Sequence, residues 1–244
     1  NFKKAASLLL ASALMVTSFA ACGDKASDSS AEGEATVSED TFKIGGIGPI
    51  TGAAAVYGKA VENGAKLAVD EINAEGGING KQIEFKFEDD QADSEKSVNA
   101  YNTLKDWGMQ ALIGTTTSTP CTAVVEETHS DNMFQLTPSA TAVDSIQYDN
   151  AFRMCFSDPN QGSASADYIA ENKLATKVAI IYNSSDTYSS GIYQTFATEA
   201  KAKGLDVVAA EAFTADNKTD FSLQIQKAKD AGAELVFLPI YYSE

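Results

Sequence analysis

The stretch IGTTTSTPCTAV, residues 113–124, sets five hydroxyl side chains in a row: Thr115, Thr116, Thr117, Ser118 and Thr119. Pro120 and a helix-like run follow. Hydroxyls in this place suit two jobs. Ser118 or Thr119 could cap the helix by accepting a first-turn N–H. Alternatively the row holds a carboxylate or phosphate, since a helix N-terminus offers free N–H groups and the positive end of its dipole. A second hydroxyl-rich segment, TPSAT at 137–141, leaves the next apolar run. Catalysis fits less well. A serine or threonine nucleophile needs an activating base, and the single histidine, His129, falls at the far end of the same helical run. Asp89 and Asp90 are paired carboxylates, but neighbours in a strand point to opposite faces. A zinc site takes three or four ligands at suitable spacing, and no such set is spaced along the chain. We expect no metal, no cofactor and no enzyme activity.

A nucleotide-dependent enzyme is the alternative that the spacing argues against. The run GIGPITG, residues 46–52, follows a strand-like segment as a dinucleotide fingerprint would. Its spacing is Gly-x-Gly-x-x-x-Gly, and Pro49 removes an N–H from the turn. The acidic residue of such a fingerprint stands roughly 20 positions on. Here the second strand ends at Glu88–Asp90, about twice as far along.

Strands and helices alternate to position these groups. FKIGGIGPI reads as a strand. Val56, Ala60, Leu67 and Ile72 mark a long helix that Gly76–Gly77 stop. KQIEFKFEDD alternates with Ile83, Phe85 and Phe87 on one side. Asp93 starts a second helix and Gly108 ends it. MQALIG is a short buried strand, Pro120 sits in the first turn of a third helix, and MFQLTPSAT is a fourth strand. The pattern then restarts: AFRMCF, DPNQGSASADYIAENK, KVAIIYN, SSGIYQTFATEAKAKG, LDVVAAEAF, KTDFSLQIQKAKDAG and AELVFLPI. Such alternation means βαβ units and parallel sheets. Two series imply two Rossmann-like α/β lobes, residues 41–155 and 156–244. Ligands of open parallel sheets bind beyond the carboxyl ends of the strands, where hydroxyls, glycines and tyrosines dominate this chain. The last strand stops almost flush with Glu244, so the chain is expected to be truncated at its C-terminus, with an incomplete second lobe.

The first 22 residues have a secretory layout: Lys3 and Lys4, an apolar run from Leu8 to Val16, then Ala20–Ala21 before Cys22. That run is short for a membrane span. A cysteine after the small pair resembles a lipoprotein signal, so Cys22 is expected to carry lipid and anchor the protein outside the cytoplasm. Residues 23–40 hold almost no large apolar side chain and read as a disordered tether. The formal net charge of −16 argues against a nucleic-acid partner, whose phosphates would be repelled. Whether Cys121 and Cys155 pair is open.

The segment KIGGIGPITGAAAVYGKAVENGAKLAVDEINAEGGINGKQIEFKFEDDQAD resembles the start of the leucine/isoleucine/valine-binding proteins. The likeness continues through ALIG, LTPSAT, FRMCFSDPNQG, KVAIIYNSSDTYSSG and TDFSLQIQKAKDAGAELVFLPIYY. The resemblance implies the type I periplasmic binding fold and a receptor for an ABC transporter, whose permease subunits would be partners. It implies a free amino acid, branched-chain above all, as the ligand between two lobes. By position, Ser118 matches the serine that binds the ligand carboxylate, and Thr141 matches its threonine partner. Ser139 would offer its carbonyl to the ammonium. Tyr57 would lie near the ligand side chain, and Tyr188 and Tyr241 would close over it. Thr117, beside Ser118, is expected to share in binding the ligand; it and Ala92, or a neighbour of Ala92, stand where some members have a disulfide. Ser189 replaces a glycine that often follows the second-lobe tyrosine. The acid that pairs with the ligand ammonium is implied to lie past residue 244. The same fold serves receptors for amides, urea and aromatic acids, and the sensing domains of signalling receptors.

Overall fold

The computed structural model describes residues 41–244. Cys22 and the signal and tether segments lie outside the described residues. The chain runs through β1 (Phe42–Gly48), α1 (Ala55–Ala74), β2 (Ile83–Asp89), α2 (Ser94–Asp106), β3 (Ala111–Ile113), α3 (Ser118–Ser130), β4 (Gln135–Thr137) and β5 (Ala151–Arg153). These strands form one parallel sheet in the order β2-β1-β3-β4-β5. It continues through α4 (Asp158–Glu171), β6 (Lys177–Asn183), α5 (Thr187–Ala202), β7 (Asp206–Phe213), α6 (Ser222–Asp230) and β8 (Leu235–Phe237). The second sheet is also parallel, in the order β7-β6-β8.

Both orders contain a reversal. The chain leaves β1 to one side for β2 and returns to the other side for β3, and it does the same about β6. Connections diverge at such a point and open a crevice beyond the strand ends. The β1 and β3 exits carry Tyr57 and the hydroxyl row, and those of β6 and β8 carry Tyr188 and Tyr241.

Each sheet has its own core. Ile47, Tyr101, Leu104, Leu112 and Val124 pack between the first sheet and its helices, and Tyr101 donates its hydroxyl to Asp131 at 2.8 Å. Val178, Ile180, Ile169, Phe196 and Ala200 do the same in the second. Asp93 caps α2 as expected, accepting the Lys96 N–H at 2.9 Å. Phe85 and Phe87 cover β1 at Gly46, where a Cβ would stand 2.4 Å from the Phe87 ring.

Two expectations change. The helical spacing of Val56, Ala60, Leu67 and Ile72 is real, but that stripe is exposed. The packed side of α1 is carried by Gly58, which is buried, and by half-buried Val61, Ala65 and Val69. A Cβ on Gly58 would meet the Pro49 carbonyl oxygen at 2.0 Å, so this helix start lies on the β1 exit. The strands expected over MFQLTPSAT and AELVFLPI shrink to three residues each. Pro138 and Pro239 follow closely and have no N–H for a ladder.

Candidate functional site

The five hydroxyls of the row do five different things. Thr115 donates to the Thr117 carbonyl at 2.9 Å. Thr116 donates to the Ile47 carbonyl at 3.4 Å and ties the row to β1. Ser118 accepts two backbone N–H groups from the β4 exit, Thr141 at 3.1 Å and Ala142 at 3.2 Å. Thr119 reaches the second half of the chain, donating to Asp186 at 2.9 Å and accepting the Thr187 N–H at 3.0 Å. The Thr117 hydroxyl is buried and without a hydrogen-bond partner. Capping by Ser118 or Thr119 is therefore not what the row does. The N-cap is Thr117, and its side chain makes no cap bond.

The β4 exit is braced from behind. Thr137 donates to the Thr115 carbonyl at 2.7 Å and accepts the Ala140 N–H at 3.0 Å. Ser139 donates to the Thr116 carbonyl at 2.6 Å. Arg153 donates to the carbonyls of Thr141 and Ala142 at 2.9 and 2.8 Å. The Asp158 N–H also reaches the Thr141 carbonyl, at 2.9 Å. With its backbone fixed this way, Thr141 presents a buried hydroxyl that has no partner of ordinary geometry.

Thr117, Ser139, Thr141, Tyr57, Tyr188 and Tyr241 line one cavity of about 190 Å³, together with Thr116, Phe156 and Gln161. Six of the seven ligand-binding residues expected from the sequence thus meet. Ser118 is the one set back, buried behind Thr141 with its oxygen already accepting. The rings form a cluster: Tyr188 stacks on Tyr241 at 5.0 Å, and Tyr57 tilts against Tyr241 at 5.5 Å. Burial first, then the nearby Asp186, pushes the Tyr241 hydroxyl above its ordinary range. Burial likewise raises Tyr188, whose hydroxyl accepts from Gln161 at 3.4 Å. Both phenols stay neutral at neutral pH. The space is below the roughly 300–1,000 Å³ of sites for drug-sized ligands, so it suits a molecule of few heavy atoms.

Sequence reasoning missed Asp158. Its side chain is buried at the start of α4, where the Thr141 hydroxyl adjoins the carboxyl outside ordinary hydrogen-bond geometry. Burial pushes it up to about 6, although the neighbouring Thr141 hydroxyl pulls it down, and Asp186 adds repulsion. The same segment, FRMCFSDPNQG, was in view, but an acid at a helix start reads as an ordinary first-turn residue. Ser157, not Asp158, is the N-cap of α4 and accepts the Asn160 N–H. Ser189, the departure from glycine, is part of the frame. It accepts the Asn183 N–H at 2.8 Å and donates to the Pro239 carbonyl, joining the β6 and β8 exits.

His129 lies exposed on α3, stacked on Tyr148. Cys121 and Cys155 are free thiols. Among the described residues, no three His, Cys, Asp or Glu side chains gather as a metal site.

Residues 41–241 match the family model described as periplasmic binding protein. The Leu/Ile/Val-binding protein homolog 3 of Brucella melitensis is 33% identical over 214 residues, covering 87% of this chain and 58% of that protein. A crystal structure of the branched-chain amino acid transporter substrate-binding protein LivJ from Streptococcus pneumoniae, in complex with isoleucine, superposes with a TM-score of 0.76. It is 33% identical and covers 83% of this chain and 57% of its own. A solute-binding protein of an ABC transporter from R. palustris, in complex with 4-hydroxybenzoate, superposes with a TM-score of 0.72 at 25% identity, covering 82% of this chain and 54% of its own. The chain thus spans a little over half the length of the proteins it matches.

Proposed function

Because the chain belongs to the periplasmic binding protein family, we propose that it is the solute-binding component of an ABC transporter and that its ligand is a free amino acid, branched-chain above all. Its fold is that of the type I members. One observation carries the reading. Two buried hydroxyls without partners of ordinary geometry, Thr117 and Thr141, line one cavity, and the buried Asp158 carboxyl adjoins Thr141 from a neighbouring cavity. Buried polar groups are almost always hydrogen-bonded in a folded protein. A zwitterion supplies what these three lack. Its carboxylate accepts from Thr117 and Thr141, with Ser118 fixing the backbone behind them and the α3 N-terminus contributing its dipole. Its ammonium faces Asp158 and the Ser139 carbonyl. An apolar side chain packs among Tyr57, Tyr188, Tyr241 and Phe156. A further acid past residue 244, as the family resemblance implies, would complete the ammonium seat between two lobes.

The ring cluster supports a second reading, an aromatic acid, which the R. palustris protein binds. That ligand has no ammonium and would leave Asp158 without a partner. Calorimetry against leucine, isoleucine, valine, their amides, and 4-hydroxybenzoate separates the two. Each amide should bind about ten- to a hundredfold more weakly than its acid, the cost of a lost hydrogen bond to a charged group. Equal affinity for acid and amide would refute the carboxylate seat, and tight binding of 4-hydroxybenzoate alone would favour the second reading.

We also propose that Cys22 carries a lipid that anchors the protein outside the cytoplasm, beside the transporter's permease subunits. The motive is the small pair before Cys22 and the polar segment after it. Cys22→Ala should move the protein from the membrane fraction to the soluble one. Retention of that variant in membranes would end the idea.

A further inference from the structure

The motif GIGPITG and the adjacent carboxylates Asp89 and Asp90 have no part in the proposed ligand seat, yet the structure joins them. Asp89, at the end of β2, turns its carboxyl to the loop between β1 and α1. One oxygen accepts the Ile50 N–H at 2.9 Å, the Thr51 N–H at 3.4 Å and the Gln91 N–H at 3.0 Å. The other accepts the Thr51 hydroxyl. Asp90 instead accepts from Ala92 and Ser97. In a dinucleotide fingerprint the loop's N–H groups meet a pyrophosphate and the acid after the second strand meets a ribose. Here the acid takes the loop's N–H groups for itself. Burial acts to raise the Asp89 carboxyl, but these hydrogen bonds outweigh it and hold the group below its ordinary value. Asp89 is therefore ionised at neutral pH, and hydrogen bonds to an ionised acceptor are the strong ones.

This anchor matters because of what the loop carries. The start of α1 has no help from its own side chains: its N-cap, Ala54, makes no side-chain cap bond, and its first turn holds no acid. It is placed from outside instead. Gly58 packs so closely on the Pro49 carbonyl that a Cβ there would stand 2.0 Å away. Pro49 precedes Ile50, which Asp89 holds. Tyr57 precedes Gly58, and its N–H donates to the Ala54 carbonyl at 3.1 Å. Neighbouring contacts therefore lead from Asp89 through Ile50 and Pro49 to Gly58 and Tyr57. Tyr57 lines the ring-bounded cavity, and Asp89 is not among the residues that do.

We infer that Asp89 is a positioning residue for this cavity: by holding the loop at Ile50 and Thr51, it sets where the Tyr57 ring stands and so how well a ligand's side chain fits against it. The inference rests on the proposed amino-acid ligand for its effect on affinity, but not for its effect on the ring. Residues in one network of contacts are coupled in energy, so a change at Asp89 reaches the ligand only through Tyr57.

The test uses the full-length protein with Asp89→Asn, with Tyr57→Ala and with both. Asparagine keeps the shape, but it carries no charge and sets an NH₂ group where one oxygen accepted. In calorimetry with L-leucine, Asp89→Asn should bind about three- to thirtyfold more weakly. Adding it to Tyr57→Ala should cause no further loss. Thr51→Val removes only the hydroxyl donor; it should lose less, in the same direction, and it serves if Asp89→Asn fails to fold. In ligand-free protein labelled with fluorotyrosine, the fluorine resonance of Tyr57, identified by its loss in Tyr57→Phe, should shift or broaden in both loop variants. A merely structural carboxylate would lower thermal stability and leave that resonance and the leucine affinity unchanged; that result overturns the inference, as does a loss undiminished in the Tyr57→Ala background. If leucine fails to bind even the native protein, the proposed ligand is wrong, and the Tyr57 resonance still decides the role of Asp89.

Discussion

Asp158→Asn will weaken binding of a free amino acid by about thirtyfold or more and will stabilise the ligand-free fold. The two effects share one cause. Asp158 holds a carboxylate away from water, with the Thr141 hydroxyl beside it but no hydrogen bond of ordinary geometry on either oxygen. Its surroundings are unfavourable to a charge, and burial moves it up to about 6. Arg153, the nearest cation to act on it, directs its guanidinium to the Thr141 and Ala142 carbonyls. Asparagine has the same shape and no charge, so it fits beside Gly191, against which the Asp158 carboxyl packs, and it removes the desolvation cost. Removing one partner of a buried charge pair costs roughly 2–5 kcal/mol in binding, hence the expected loss. Calorimetry with leucine and thermal melts without it measure the two sides. Native affinity should also decline as pH falls below about 6, because the proton competes with the ammonium, and Asp158→Asn should lack that decline. An asparagine variant that binds leucine as well as the native protein does would remove Asp158 from the ammonium seat.

Asp90 will cost the chain stability as pH rises from about 4 to about 6, and Asp90→Asn will remove that cost. Asp90 is fully buried. It accepts the Ala92 N–H at 2.9 Å and the Ser97 hydroxyl at 2.9 Å, which holds the left-handed turn at Gln91 and Ala92. Burial is the largest influence, and it pushes the carboxyl up to about 6 against those hydrogen bonds. The sign follows from proton binding. Between the unfolded value, near 4, and the folded value, near 6, the folded chain holds a proton that the unfolded chain has released. Raising the pH across this window therefore favours unfolding, by up to about 3 kcal/mol for this one group. Asp158 contributes with the same sign. Exposed acids held down by hydrogen bonds, such as Glu234 and Asp220, work in the opposite direction, so the total curve mixes several groups. The difference between native and Asp90→Asn proteins isolates one of them. Urea melts from pH 4 to 8 should give a difference that grows up to pH 6 and is flat above it. A pH-independent difference would mean that Asp90 titrates alike in both states.

The fold was legible because its signals are periodic. Helix punctuation at Asp93, Gly108 and Pro120, and buried runs such as KVAIIYN, fix elements without reference to anything distant. The α1 stripe misled because periodicity marks a helix face but not which face packs; the close pass of Gly58 over Pro49 decides that, and it is a tertiary fact. The site was legible as a set of strand exits. The roles within it were not. Ser118 and Thr119 look interchangeable in sequence, yet one accepts from the neighbouring exit and the other spans to α5. Asp158 had no local mark, since what singles it out is the absence of partners, a property only three dimensions define.

The division of the hydroxyl row has an evolutionary consequence. Thr115, Thr116 and Ser118 serve the backbone of the β1, β3 and β4 exits, so selection on folding alone would retain them whatever the molecule carries. Thr117 spends nothing on the scaffold, because its hydroxyl has no internal partner. A substitution at Thr117 should therefore leave the frame intact and alter only the wall of the cavity, so the two kinds of hydroxyl answer to different pressures.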